Sequence, residues 1–90
     1  MRLYIRREDI GGSTPRDARN CPIARALKRR LNASRVHVQK HRVIFGSPTR
    51  KRILYPANSA RRMIDRFDRL DAVTPGYVYL SKEKRPMYAA

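Results

Sequence analysis

Two cationic groups stand out for their chemistry: Lys40, His41 and Arg42, and, beyond one short strand, Arg50, Lys51 and Arg52. No Asp or Glu lies between Asp17 and Asp65 to neutralise them. Arginine forks onto phosphate through paired N–H donors, and lysine acts as a mobile point charge. Because the groups flank one hairpin strand, the spacing predicts a common rim able to track a phosphate backbone. The alternative is a solvated hairpin whose charges prevent edge-to-edge aggregation.

A second constellation follows from strand parity. Tyr77 and Tyr79 fall on one face of a terminal strand and Val78 and Leu80 on the other. By the same alternation Tyr4 lies between Arg2 and Arg6, and Arg35, His37 and Gln39 oppose Val36 and Val38. With the aliphatic side chains turned inward, an open face would carry Tyr4, Tyr77, Tyr79 and Arg35. Aromatic rings among arginines can stack bases and hold phosphates. The aromatic and glycine signature of an RNA-recognition motif is absent, and such a face would also suit simple solvation or the pairing of two protomers as a homodimer.

Other chemistries find little support. Glu8 and Asp9 are adjacent, and the remaining acids offer no pair spaced for general acid and base work, so no catalytic residue is assigned. His37 and His41 lack metal-ligand spacing with Cys21, and neither a metal nor any other cofactor is expected. The loop from Gly11 to Arg16 lacks the second glycine and Lys-Ser/Thr ending of a phosphate-binding loop; Arg16 and Arg19 before a helix start are only a weak anion signal. Cys21 at that helix start reads as a packing residue rather than a nucleophile.

The elements that position these residues alternate along the chain. Arg2 to Arg6 reads as a strand and Gly11 to Asn20 as a loop. A helix from Cys21, capped by Asn20, presents Ile23, Ala24, Leu27 and Leu31 on one side. Strands follow around Val36–Val38, Val43–Phe45 and Arg50–Tyr55, where Pro56 ends the last. Asn58 or Ser59 caps a second helix with a stripe of Ala60, Met63, Ile64, Phe67 and Leu70. Its Arg61–Asp65 and Asp65–Arg69 spacings suit surface ion pairs, leaving Arg62 and Arg66 aside. Tyr77 to Leu80 is the final strand. The fold class is α+β: a mostly antiparallel sheet with two helices on one face, on a ferredoxin-like split β-α-β plan with an extra meander strand. Residues 1–80 form a single compact basic domain and 81–90 a charged tail.

Composition agrees with this division. Hydrophobic residues make up 41% of the 90, enough for one thin core and against full disorder. Lys and Arg number 22 against 7 acids, for a net charge of +15. That imbalance calls for a polyanionic partner. No stretch suits a membrane helix or a secretory leader, and one cysteine makes no internal disulfide, so a cytoplasmic setting without membrane association is expected.

Two segments resemble a known group. Asn20 to Arg29 (NCPIARALKR) matches a CPIAxALxR helix opening, and Ile64 to Asp68 (IDRFD) precedes Val73-Thr74-Pro75 and the Tyr-rich strand. Together they resemble a family of short, uncharacterised tailed-phage and prophage proteins. The resemblance implies a phage setting, and hence a host cytoplasm, but no functional residues. The reading is therefore a small, non-enzymatic, strongly basic phage-type protein that binds nucleic acid, DNA or RNA, or a nucleic-acid–protein complex. Phosphate contacts come from Lys40, Arg42, Arg50, Lys51 and Arg52, then Arg35 and the tyrosines. The alternatives are an anti-CRISPR-type inhibitor of a host defence complex, using the same cations on an acidic surface or guide RNA, and a structural protein near virion DNA.

Overall fold

The computed structural model describes residues 1–47 and 49–83; most of the 81–90 tail thus lies outside the described residues. Its elements are β1 (Arg2–Ile5), α1 (Arg7–Gly11), α2 (Pro22–Leu31), β2 (Arg35–Val38), β3 (Val43–Ser47), β4 (Arg50–Pro56), α3 (Asn58–Asp68) and β5 (Gly76–Ser81). The strands form one sheet in the order β1-β5-β4-β3-β2, with every neighbouring pair antiparallel. The fold is α+β, as the alternation of apolar residues requires. β1 and β2 point the same way from opposite edges, joined by α2, and the other strands fill the space between them.

Period-2 alternation turns one side of the sheet into a core surface. Leu3, Ile5, Val36, Val38, Val43, Leu54, Val78 and Leu80 are buried there, against Ile23, Ala24, Ala26 and Leu27 of α2 and Ala60 of α3. Helix α2 packs on β1 and β2, and α3 on β4 and β5, so among the described residues the opposite side carries no helix. No helix among the described residues is long and apolar enough to cross a membrane.

The helix starts differ from their sequence reading. Asn20 does not cap α2: its side-chain amide donates to the Gly12 carbonyl and the Thr14 hydroxyl, each at 3.1 Å, and ties the preceding loop. Cys21 is the cap instead, its Sγ accepting from the Ala24 N–H at 3.3 Å. Asn32 closes α2 in the left-handed region at φ 51°. The cap of α3 is Ala57, because Ser59 already lies within the helix and its Oγ accepts from the Tyr79 N–H at 3.1 Å. Helix α1 has no counterpart in the sequence reading. Its buried Asp9 accepts from the Arg6 N–H at 2.8 Å and from the Arg29 guanidinium at 2.6 Å, a pair that pins α1 to α2.

Candidate nucleic-acid interface

None of the five strands contains an Asp or Glu. The acids lie in α1, α3 and the connecting segments, except Glu83, which follows β5. The helix-free side of the sheet is therefore a surface of Arg2, Tyr4, Arg35, His37, Lys51, Tyr55, Tyr77 and Tyr79, with Ile44, Gly46 and Ile53 among them.

Register fixes how these side chains are laid out. Tyr4 sits across from Tyr77 and Arg2 across from Tyr79. Tyr55 opposes Ser81, Ile53 opposes Ile44, and Ile44 opposes His37. Lys51 opposes Gly46, which opposes Arg35. Strand β4 pairs with β5 only at Tyr55 and Pro56, so these rows step diagonally across the sheet. From the Tyr77 row to the Lys51 row is eight residue steps. At ~3.4 Å per residue that is about 27 Å along the strand direction before twist and curl.

The two ends of the diagonal differ in chemistry. At one end Tyr4, Tyr77 and Tyr79 are 43%, 52% and 50% exposed. The Tyr4 and Tyr77 rings meet edge to face at 5.0 Å, and the Arg2 guanidinium lies 4.4 Å from the Tyr77 ring centre. Burying Val78 and Leu80 rather than the hydroxyl-tipped rings is what strands these aromatics in water. At the other end Arg35 and Lys51 flank Gly46, two strand spacings apart, roughly 10 Å between backbones. Gly46 adds no side chain between them and cannot be replaced freely. Its φ is +127°, and a Cβ there would lie 2.1 Å from the Arg50 carbonyl oxygen. A groove of about 540 Å³ at this end is lined by Arg19, Lys28, Arg35 and Lys51 and by no acidic residue.

The hairpin rim does not form as the sequence suggested. The turn holding Lys40 and Arg42 and the turn leading to Arg50 lie at opposite ends of β3, since an antiparallel meander reverses direction at each turn. Lys40 is also neutralised, by Asp65 at 3.2 Å, and Arg42 donates to the Gln39 side-chain oxygen at 3.0 Å. The Arg50–Arg52 group splits by parity. Lys51 lies on the helix-free side, while Arg50 and Arg52 share the side of Leu54 and Pro56, exposed beyond the reach of the helices. The site residues thus fall into Tyr4, Tyr77 and Tyr79; Arg35 and Lys51; the outlying Arg50 and Arg52; and the distant Lys40 and Arg42.

Helix α3 corrects a further expectation. Asp65 turns to Lys40, and Arg61 donates to the Pro56 carbonyl at 2.8 Å and to the Asn58 side chain, so neither i,i+4 pair forms. Arg69 pairs with Asp71 at 3.6 Å. Asp68 accepts from the Arg16 N–H at 2.9 Å and holds the loop before α2.

Cys21 is buried, and desolvation pushes its thiol above the ordinary range, against the Ala24 and Ile23 N–H groups that favour thiolate. That is the reverse of an activated nucleophile. Among the described residues no cluster of His, Cys, Asp and Glu could hold a metal ion. The class of protein defined here is a basic α+β domain with one face of its antiparallel sheet uncovered. Protein-family models, curated proteins and solved structures all yield no match to the chain.

Proposed function

We propose that the protein is a small, non-enzymatic nucleic-acid-binding protein that holds a single strand across the open face of its sheet. Bases stack at the Tyr4–Tyr77–Tyr79 end, and phosphates run toward Arg35 and Lys51. One observation carries the reading: the uncovered face combines half-exposed tyrosines with cations and contains no carboxylate. A single strand suits this face better than a duplex, whose bases are already stacked on one another. At a stacked spacing of ~3.4 Å per nucleotide, the diagonal is about eight nucleotides long. The phage setting implied by the NCPIARALKR opening is part of the same proposal.

Binding of labelled single strands of four to sixteen nucleotides, titrated with salt, tests the reading. Affinity should rise with length up to about eight nucleotides and fall linearly with salt on logarithmic axes. It should exceed the affinity for a duplex of the same sequence. A tight, salt-independent and nuclease-insensitive association with a host protein complex would replace this reading with that of a counter-defence inhibitor.

A further inference from the structure

The failed ion pairs of α3 leave a second basic surface. Ser59, Arg62, Arg66 and Arg69 lie within about 80° of one another around the helix at 3.6 residues per turn. They line a groove of about 510 Å³ between α3 and the segment leading into β5, with Thr74 and Tyr77 on its far wall. Asp65 and Asp68 are drawn to the other flank of the helix by Lys40 and Arg16. Among the described residues, the guanidinium groups of Arg62 and Arg66 have no hydrogen-bond or ion-pair partner. The Ser59 oxygen accepts the Tyr79 N–H, and its hydroxyl also carries a proton to donate. The groove contains no acidic side chain.

Tyr77 joins this groove to the open sheet face. Its ring belongs to the aromatic end of the face, yet it also lines the α3 groove, because β5 is unpaired on its β4 side at this level. A strand stacked on Tyr77 and Tyr79 therefore has cations within reach around the β5 edge as well as along the sheet. We infer that the α3 groove is a second phosphate site for the same strand, where Arg62 and Arg66 clamp the sugar-phosphate backbone as it leaves the tyrosines and turns around β5. The inference rests on the single-strand reading above. It assigns the phosphates on one side of the stacked bases to α3 rather than to the hairpin. Guanidinium groups one turn apart on a helix can each engage a phosphate oxygen with paired donors.

The experiment compares the full chain with R62Q/R66Q, R35Q/K51Q and Tyr79→Ala, using a labelled twelve-nucleotide single strand across a salt series. Circular dichroism confirms that each variant is folded. Each lost single-strand phosphate contact lowers the log–log salt slope by about 0.7, so the α3 variant, which loses two, should drop by about 1.4. Its affinity at low salt should fall more than tenfold. R62K/R66K should retain the slope while losing part of the affinity, because the charge remains and the fork does not. If the α3 variant keeps wild-type slope and affinity while Tyr79→Ala weakens binding, the α3 site is wrong and the sheet-face reading stands. If Tyr79→Ala also changes nothing, or the wild-type chain fails to bind the strand, both fall.

Discussion

Tyr79→Ala is the sharpest probe of the open face, and the structure explains why it is cleaner than Tyr77→Ala. The Tyr77 ring supports the Arg2 guanidinium at 4.4 Å and the edge of Tyr4 at 5.0 Å. Removing it would disturb the fold by about 0.5–1.5 kcal/mol for the ring pair and a similar amount for the cation. Tyr79 is 50% exposed, and among the described residues its ring has neither an aromatic nor a cationic partner. Its ties to the rest of the protein run through the backbone, N–H to the Ser59 hydroxyl and carbonyl to the Ala57 N–H, and survive truncation. Tyr79→Ala should therefore leave the melting temperature nearly unchanged. A base stacked on the ring contributes about 1–3 kcal/mol, so single-strand affinity should drop by a factor of about 5 to 150. Tyr79→Phe should bind like wild type, since stacking needs the ring alone. The salt slope should not move, because no phosphate contact is lost. Fluorescence anisotropy with single-strand and duplex probes reads all these quantities. An unchanged single-strand affinity in Tyr79→Ala, beside a large loss in R35Q/K51Q, would make the sheet a scaffold for cations and refute the stacking argument.

Other outcomes follow from particular contacts. Gly46→Ala should cost ~2 kcal/mol or more and lower the melting temperature by roughly 8–16 °C, because the new Cβ meets the Arg50 carbonyl at 2.1 Å in a left-handed conformation. Gly11→Ala, with open space around its Cβ position, should show no such loss in the same thermal scan. Cys21 should react slowly with alkylating reagents at neutral pH, and Cys21→Ala should cost about 1 kcal/mol with binding intact. Its thiol pKa is raised on folding from an ordinary 9.0, so its contribution is complete below that pH and is lost as pH rises through the folded value. Urea midpoints should accordingly fall more steeply above pH 9 for wild type than for Cys21→Ala, and parallel curves would contradict the burial argument. Saturating single strand or heparin at 100 times its Kd should add ~2.7 kcal/mol, seen as a rise in melting temperature, whereas a flat response would mean that the net charge forms no polyanion site.

How much of this was legible in the sequence depended on the range of the interaction. Strand parity is local, so Val78 and Leu80 inward with Tyr77 and Tyr79 outward followed from four residues. The α+β class followed from alternation between period-2 and helical apolar spacing. The hairpin rim failed because the sequence distance between Lys40 and Arg50 conceals that β3 carries them to opposite ends of the sheet. Pairing within α3 failed for a similar reason. Spacing along a helix identifies possible partners, but Lys40 arrives from a distant segment and takes Asp65 first. Asn20 looked like a cap because residue type favours it, yet its two bonds within the preceding loop claim its side chain. The Arg62–Arg66 spacing was readable; its freedom from carboxylates was not, since that depends on tertiary contacts.

The placement of the few acids clarifies why so basic a chain can fold and still present bare cations. Asp9 joins α1 to α2 through Arg29, Asp17 accepts from the Arg19 N–H, Asp65 holds the β2–β3 turn through Lys40, and Asp68 holds the loop before α2. These carboxylates secure helices and loops to one another at places where the thin core does not reach. None is spent on the sheet face, or on the α3 flank that Arg62 and Arg66 occupy. The repulsion left on those two surfaces weakens the free protein and, under the proposed function, would be relieved by a polyanion lying across them. Stability and binding are then coupled through the same side chains. R62Q/R66Q should melt at the same temperature as wild type or slightly higher in the absence of ligand, and gain less from an added single strand. A double variant that is destabilised without ligand would mean that these arginines hold the fold together, and the free cationic surface would lose its basis.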